Sequence, residues 1–230
     1  MKKYILNKKL KSLDKTIKTL LTNSDDSINK IHNLRKKTRE LLSLVSGSDP
    51  FHSKLKKIIK ISNHIRDIDV FLSSYLTSLK STSKQQLNLN KIIQISKNSR
   101  NKFFNQLYTY LEKLYIPHSV KCKNMTQYVS SPINFDNDSL LFEQKVLHKY
   151  RIYIKNKLYW TKNQTIKNKR QIELLTKIKD LLGNINDNYN GLARLKKFNI
   201  KTKLFEEIEE QTIKKNIKYF EKVKKLNTQL

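Results

Sequence analysis

Two cationic triplets share one spacing. His32-x-x-Arg35-x-x-x-Arg39 recurs as His148-x-x-Arg151-x-x-x-Lys155, each residue 116 positions on (32 to 148, 35 to 151, 39 to 155). Residues three and four apart lie on one face of a helix, so each triplet would form a ladder of hydrogen-bond donors. Arginine offers a fork of N–H groups that fits two phosphate oxygens, and lysine a compact point charge. Histidine adds a donor that gains charge as pH falls through about 6 to 7. Such a ladder suits the holding of a repeating anion better than the making or breaking of bonds.

The flanking residues place both triplets on amphipathic helices. At about 100° per residue, Leu34, Leu41, Leu42 and Val45 fall within roughly 80° of Ile31, while His32, Arg35, Lys36 and Arg39 occupy a band from about 40° to 140°. Counted from Leu147, His148, Arg151 and Lys155 fall in the same band, joined by Lys162 at about 60°. A merely solvated face would set its cations opposite the apolar stripe; these border it. Cations crowded beside a core lose hydration and repel one another. They need internal acids or a bound anion. Asp67, Asp69 and Asp187 are acids within reach of pairing with an arginine or capping a helix. Such acids are scarce, so the pattern predicts a groove or pore that takes a polyanion.

The repeat extends beyond the triplets. Ile31 and Leu42 match Leu147 and Leu158 at the same step, and the stretch SNHIRDID (62–69) is echoed by LGNINDNY (182–189). In that echo Asn63, Arg66 and Asp67 align with Gly183, Asn186 and Asp187. Two related halves are therefore expected, residues 1–115 and 139–230, joined by a connector over 116–138 that holds Pro117, Pro132 and a polar cluster from Asn134 to Asp138.

Composition agrees with a helical, polyanion-binding chain. Only 3 glycines and 3 prolines interrupt 230 residues, so long helices are expected and the protein reads as all-α. Periodicity predicts helices over 4–21, a second ending near Val45, then 51–62, 65–80, 88–115, 139–165, 169–182, 185–198 and 202–226. Turns are expected at 22–26 and 46–50, with joints at 62–64 and at Gly183–Asn184. Lysine and arginine number 48 against 19 acids, a formal charge of +29. An AT-rich coding bias toward Asn, Ile and Lys accounts for part of that excess, so placement of the charges matters more than their sum. Cys122 is alone, which fits a reducing compartment. The N-terminal stretch lacks an apolar signal region and no window approaches a membrane span. A cytoplasmic, soluble protein with no membrane partner is the expectation.

Taken in order, His32-x-x-Arg35-x-x-x-Arg39, Arg66-Asp67-Ile68-Asp69-Val70, His148-x-x-Arg151-x-x-x-Lys155-x-x-x-Tyr159 and Leu182-Gly183-Asn184-Ile185-Asn186-Asp187 resemble the CHAD family, the conserved histidine α-helical domain. The resemblance covers nearly the whole chain. It implies two pseudo-twofold-related four-helix bundles around a basic central channel, binding of inorganic polyphosphate, and association with polyphosphate granules. The residues expected to hold the polymer are the motif residues His32, Arg35, Arg39, Arg66, His148, Arg151 and Lys155, with Lys36 and Lys162 from the same basic bands. The chain departs from the family pattern at Glu40, Ile152 and Leu158, where basic residues are common. The Glu-x-Glu-x-Lys strand of the CYTH triphosphatase domain, fused to some members, is absent. Glu207-Ile208-Glu209 lies on an expected helix and lacks the lysine.

Other features read as ordinary. His52, His64 and His118 have no metal-ligand spacing with Cys122 or one another, and the isolated glycines form neither a phosphate loop nor a nucleophile elbow. No cofactor or obligate protein partner is implied. Tyr150, Tyr153, Tyr159 and Trp160 at helical spacing are expected to pack a bundle rather than stack bases, and the lysine runs at 56–57, 196–197 and 222–225 to be solvated. The competing reading is a nonspecific RNA- or DNA-binding protein that uses the same basic surface. An enzyme acting on polyphosphate would need a nucleophile or a metal cluster, and neither is visible.

Overall fold

A computed structural model describes residues 2–22, 28–122, 143–162 and 168–230. Residues 23–26 of the expected turn and 123–138 of the expected connector lie outside the described residues, as do the side chains of Tyr159 and Trp160. Among the described residues there are eight α-helices: α1 Lys2–Thr22, α2 Ile28–Leu42, α3 Pro50–Val70, α4 Ser81–Gln86, α5 Leu89–Glu112, α6 Gln144–Lys162, α7 Lys169–Leu195 and α8 Thr202–Asn227. A π turn, Phe71–Tyr75, follows α3 directly. The fold is all-α. None of the described helices is long and apolar enough to cross a membrane.

Two expected joints are absent. Residues 51–62 and 65–70 form one helix, because the hydroxyl of Ser62 donates to the Ile58 carbonyl at 2.7 Å and so keeps a polar residue inside the helical ladder. Residues 169–182 and 185–195 are likewise one helix, α7, running straight through Gly183. That glycine serves close packing, described below, rather than termination. The turn before α3 is as expected: Asp49 accepts from the Phe51 amide at 2.8 Å, with Pro50 opening the helix. The second carboxylate oxygen of Asp49 accepts from the Lys121 amide at 2.7 Å, which ties the segment after α5 to the start of α3.

The chain divides into two compact units, 1–72 with 89–126, and 73–88 with 127–230. Residues 73–88, expected with the first half, thus belong to the second unit; the chain leaves the first unit within the π turn and returns before α5. Unit 1 packs α1, α2, α3 and α5 around Leu13, Leu34, Leu41, Leu55, Ile58, Ile65 and Leu107. Unit 2 packs α6, α7 and α8 around Ile154, Leu175, Ile178, Ile185, Phe220 and Val223. Buried positions recur between them. On α5, Ile92, Ser96, Arg100, Phe104 and Leu107 are buried; on α8, Ile208, Thr212, Asn216, Phe220 and Val223 are, each 116 residues on. Leu55, Ile58, Ser62 and Ile65 of α3 match the buried Leu175, Ile178, Leu182 and Ile185 of α7 at a step of 120 (55 to 175, 65 to 185).

Within unit 2, Tyr75 is buried and its hydroxyl lies 3.1 Å from that of Thr212 on α8. Its ring lies against Gly191 of α7 so closely that a β-carbon there would meet Cγ at 2.3 Å. A glycine inside a helix costs about 1 kcal/mol relative to alanine; here the ring requires it.

Gly191→Ala should therefore destabilise unit 2 by about 1–2 kcal/mol, because overpacking of about 1–3 kcal/mol outweighs the helix gain. Gly183→Ala, which meets only the movable end of Arg151 at 3.2 Å, should leave stability unchanged or raise it. Urea unfolding of both variants checks this. Tyr75 itself predicts a response to alkali. Burial pushes its phenol up to about 12, against the opposing bond from Thr212. A raised pKa favours the neutral phenol in the folded state, so its contribution is whole below about 10 and is lost as pH rises toward 12. Wild type should lose stability between those values more steeply than Tyr75→Phe, which lacks the titration, in equilibrium unfolding across that range.

Candidate anion-binding site

The motif helices hold their cations in two different ways. On α2, Arg35 is 5% exposed. Its Nη1 donates to Asn63 Oδ1 at 2.6 Å and to Ser62 Oγ at 3.4 Å, both on α3. The Ser62 proton goes to the Ile58 carbonyl, which leaves its oxygen to accept from the guanidinium. On α6, the half-buried Arg151 lies over α7 at Gly183, where a β-carbon would stand 3.2 Å from Nη2 and 3.7 Å from Cζ. Asn63 and Gly183 are the residues that the sequence repeat aligns. In each unit, then, the motif arginine reaches the same repeat position on the following helix. A side-chain oxygen meets it in unit 1, and a missing side chain makes room for it in unit 2.

The other cations of the two motifs lie further out. His32, Lys36 and Arg39 are exposed on α2; His148 and Lys162 are exposed and Lys155 is half-buried on α6. Lys36 diverges from Arg35: it lines a groove of about 520 Å³ between α1 and α2, together with Lys8, Lys9 and Lys37. Arg66 is half-buried and its Nη1 lies 3.3 Å from the Asp67 carboxylate beside it. The three departures from the basic pattern resolve separately. Glu40 accepts from Lys9 of α1 at 2.7 Å, so it fastens α1 to α2. Leu158 is a core residue of unit 2, and Ile152 is 45% exposed.

The acids go to structure. Asp69 is buried and ion-paired with Arg100 of α5. Arg100 was not a sequence candidate; its signal was only its place among the apolar residues of α5, at the i+4 step between Ser96 and Phe104. In unit 2 the position matching Arg100 is neutral: Asn216 of α8 is fully buried and accepts from Asn188 of α7 at 2.7 Å. Asp187 lies beside Asn186, with Nδ2 to Oδ1 at 3.5 Å. Among the described residues no group of three or more His, Cys, Asp and Glu side chains could hold a metal ion. Tyr150 is buried, donates to Asn227 at 2.6 Å and tilts against Tyr153 with ring centroids 5.9 Å apart, as bundle packing requires.

Comparison with family models, with curated proteins and with solved structures gives no match. The site is therefore read from its own geometry. Each motif arginine lies against the helix that follows it, and the histidine at i−3 is left at the surface.

The buried ion pair is open to a direct test. Asp69→Ala should cost about 3–5 kcal/mol, because it strands the Arg100 charge in the core. Asp69→Leu with Arg100→Met should cost much less than either single change, in a double-mutant cycle read by urea unfolding. Additive losses would show that the pair acts through shape alone.

Proposed function

We propose that the chain binds inorganic polyphosphate, without catalysis, through the exposed cations of the two repeated helices. The observation that carries this reading is the repetition of one local arrangement. In each unit the motif arginine is spent on the following helix, at Asn63 or Gly183, and the motif histidine stays exposed beside a further cation, Arg39 or Lys155. Arg35 and Arg151 are on this reading positioning residues that add field, while His32, Arg39, His148, Lys155 and Lys162 take phosphate oxygens. Lys36 and Arg66 flank them. A formal charge of +29 supports a polymeric rather than a single anion. A chain of phosphates has no bases to read, which suits a ladder of forked and point-charge donors.

The resemblance in sequence adds the finer terms of the same proposal. These are membership of the CHAD family, two pseudo-twofold-related four-helix bundles around a basic central channel, a cytoplasmic setting and association with polyphosphate granules. Nonspecific RNA or DNA binding by diffuse charge is the reading it competes with.

Two triple variants separate placement from net charge. One changes Arg39, Lys155 and Lys162 to Gln and leaves the structural Arg35 and Arg151 alone. The other changes the exposed Lys218, Lys222 and Lys225 of α8 to Gln. Each removes three charges. Charge-assisted hydrogen bonds are worth about 1.5–3 kcal/mol each, so even with strong non-additivity the first variant should lose at least about a hundredfold in polyphosphate affinity. The second should lose only a screened contribution, about severalfold. Isothermal titration, with circular dichroism to show equal helicity, makes the comparison. Equal losses would contradict the proposal and favour diffuse binding.

A further inference from the structure

We propose that the groove between α3 and α5 of unit 1 is a binding site for single-stranded nucleic acid, separate from the cations of α2 and α6. The groove encloses about 1150 Å³. Lys56, Lys57 and Lys60 line it from α3, Lys102 from α5 and Lys113 from the turn that follows α5; among the described residues no carboxylate lines it. Two other grooves of unit 1 carry an acid with their lysines, Asp14 in one and Glu40 in the other. Five cations along one groove without an acid repel each other, and an anion that follows the groove relieves this.

The rings choose between anions. The two helices run antiparallel here, with His64 stacked on Phe103 at 4.5 Å between centroids and 17° between planes, and Lys57 over the Tyr110 ring at 4.7 Å. His64 is exposed and lines the groove, and is the more exposed ring of the stack. The distance along α3 from Lys57 to His64 is seven residues, about 10 Å at 1.5 Å per residue, so the groove presents cations and rings over a length of about three nucleotides at 3.4 Å per step in a stacked strand. A chain of bare phosphates has no use for the rings. A single strand uses both: lysines neutralise its phosphates and its bases stack on aromatic faces whatever their sequence. The proposal does not rest on the polyphosphate reading.

The test uses fluorescence anisotropy with a labelled twelve-residue thymidine oligonucleotide, and an abasic chain of equal length and phosphate count, at fixed salt. Wild type should prefer the base-bearing strand by about fivefold or more, the effect of one stacked base. His64→Ala should remove most of that preference and leave the abasic affinity unchanged. Lys57→Gln with Lys60→Gln and Lys102→Gln should weaken both ligands and lower the salt slope by about 2, at roughly 0.7 for each phosphate no longer neutralised. Polyphosphate titrated against the same variants should respond no more than it does to the three α8 substitutions, which keeps this site distinct from the first. Equal affinity for the two strands would overturn the proposal. So would a lysine triple that loses no more nucleic-acid affinity than the α8 control, or a groove whose lysines govern polyphosphate binding and not the oligonucleotide's.

Discussion

The fold has to bury arginine in a chain whose cations outnumber its acids by 29, and the way it does so shapes everything around it. A buried guanidinium without partners is among the costliest groups a core can hold. Unit 1 holds two buried arginines among its described residues. Arg100 has the Asp69 carboxylate. Arg35 has the oxygens of Asn63 and Ser62, and Ser62 is oriented for this by its own bond to Ile58. These contacts join α2 to α3 and α3 to α5, so the polar network fixes the same helix pairs as the apolar core. Unit 2 needs fewer charges to reach a similar arrangement. Asn216 replaces Arg100 at the matching position, and Gly183 lets Arg151 lie on α7 with no side chain in its way.

That division of labour bears on function. A motif arginine committed to structure is not available to a ligand as a free fork, yet its charge remains next to whatever the neighbouring residues bind. It can preset the local potential without reorganising when the ligand arrives. On the proposed reading, the exposed His32, Arg39 and His148 and the half-buried Lys155 are the groups that change partners on binding.

Much of this was legible in the sequence, and the misses have physical causes. The helix starting at Pro50 was readable from Asp49 and Pro50, because a capping carboxylate followed by proline has few other uses. The apolar period located α1, α2, α5 and α8 to within a few residues. The polar triplet Ser62–Asn63–His64 and the pair Gly183–Asn184 look like breaks and are not. Their side chains, or the absence of one, answer an arginine on another helix, and a single-chain pattern does not display that tertiary demand. The band of cations beside the apolar stripe reads as the lining of a groove for an anion, whereas Arg35 within it is buried and bonded to Asn63 of α3. It did not separate Lys36, which lines the α1–α2 groove, since a helical wheel gives direction but not the position of the neighbouring helix. Arg100 was missed because one arginine in an amphipathic helix looks like a solvated residue until Asp69 is found opposite.

The central claim is that the repeated helices select a chain of phosphates over other polyanions. Competition measures this most directly: labelled polyphosphate on the full chain, displaced at fixed salt by unlabelled polyphosphate, RNA, duplex DNA and short phosphates matched in phosphate count. The account predicts that long polyphosphate displaces the label at a concentration at least about tenfold below that of any nucleic acid, a difference of about 1.4 kcal/mol. Displacement by RNA or DNA at the same phosphate concentration as polyphosphate would contradict it.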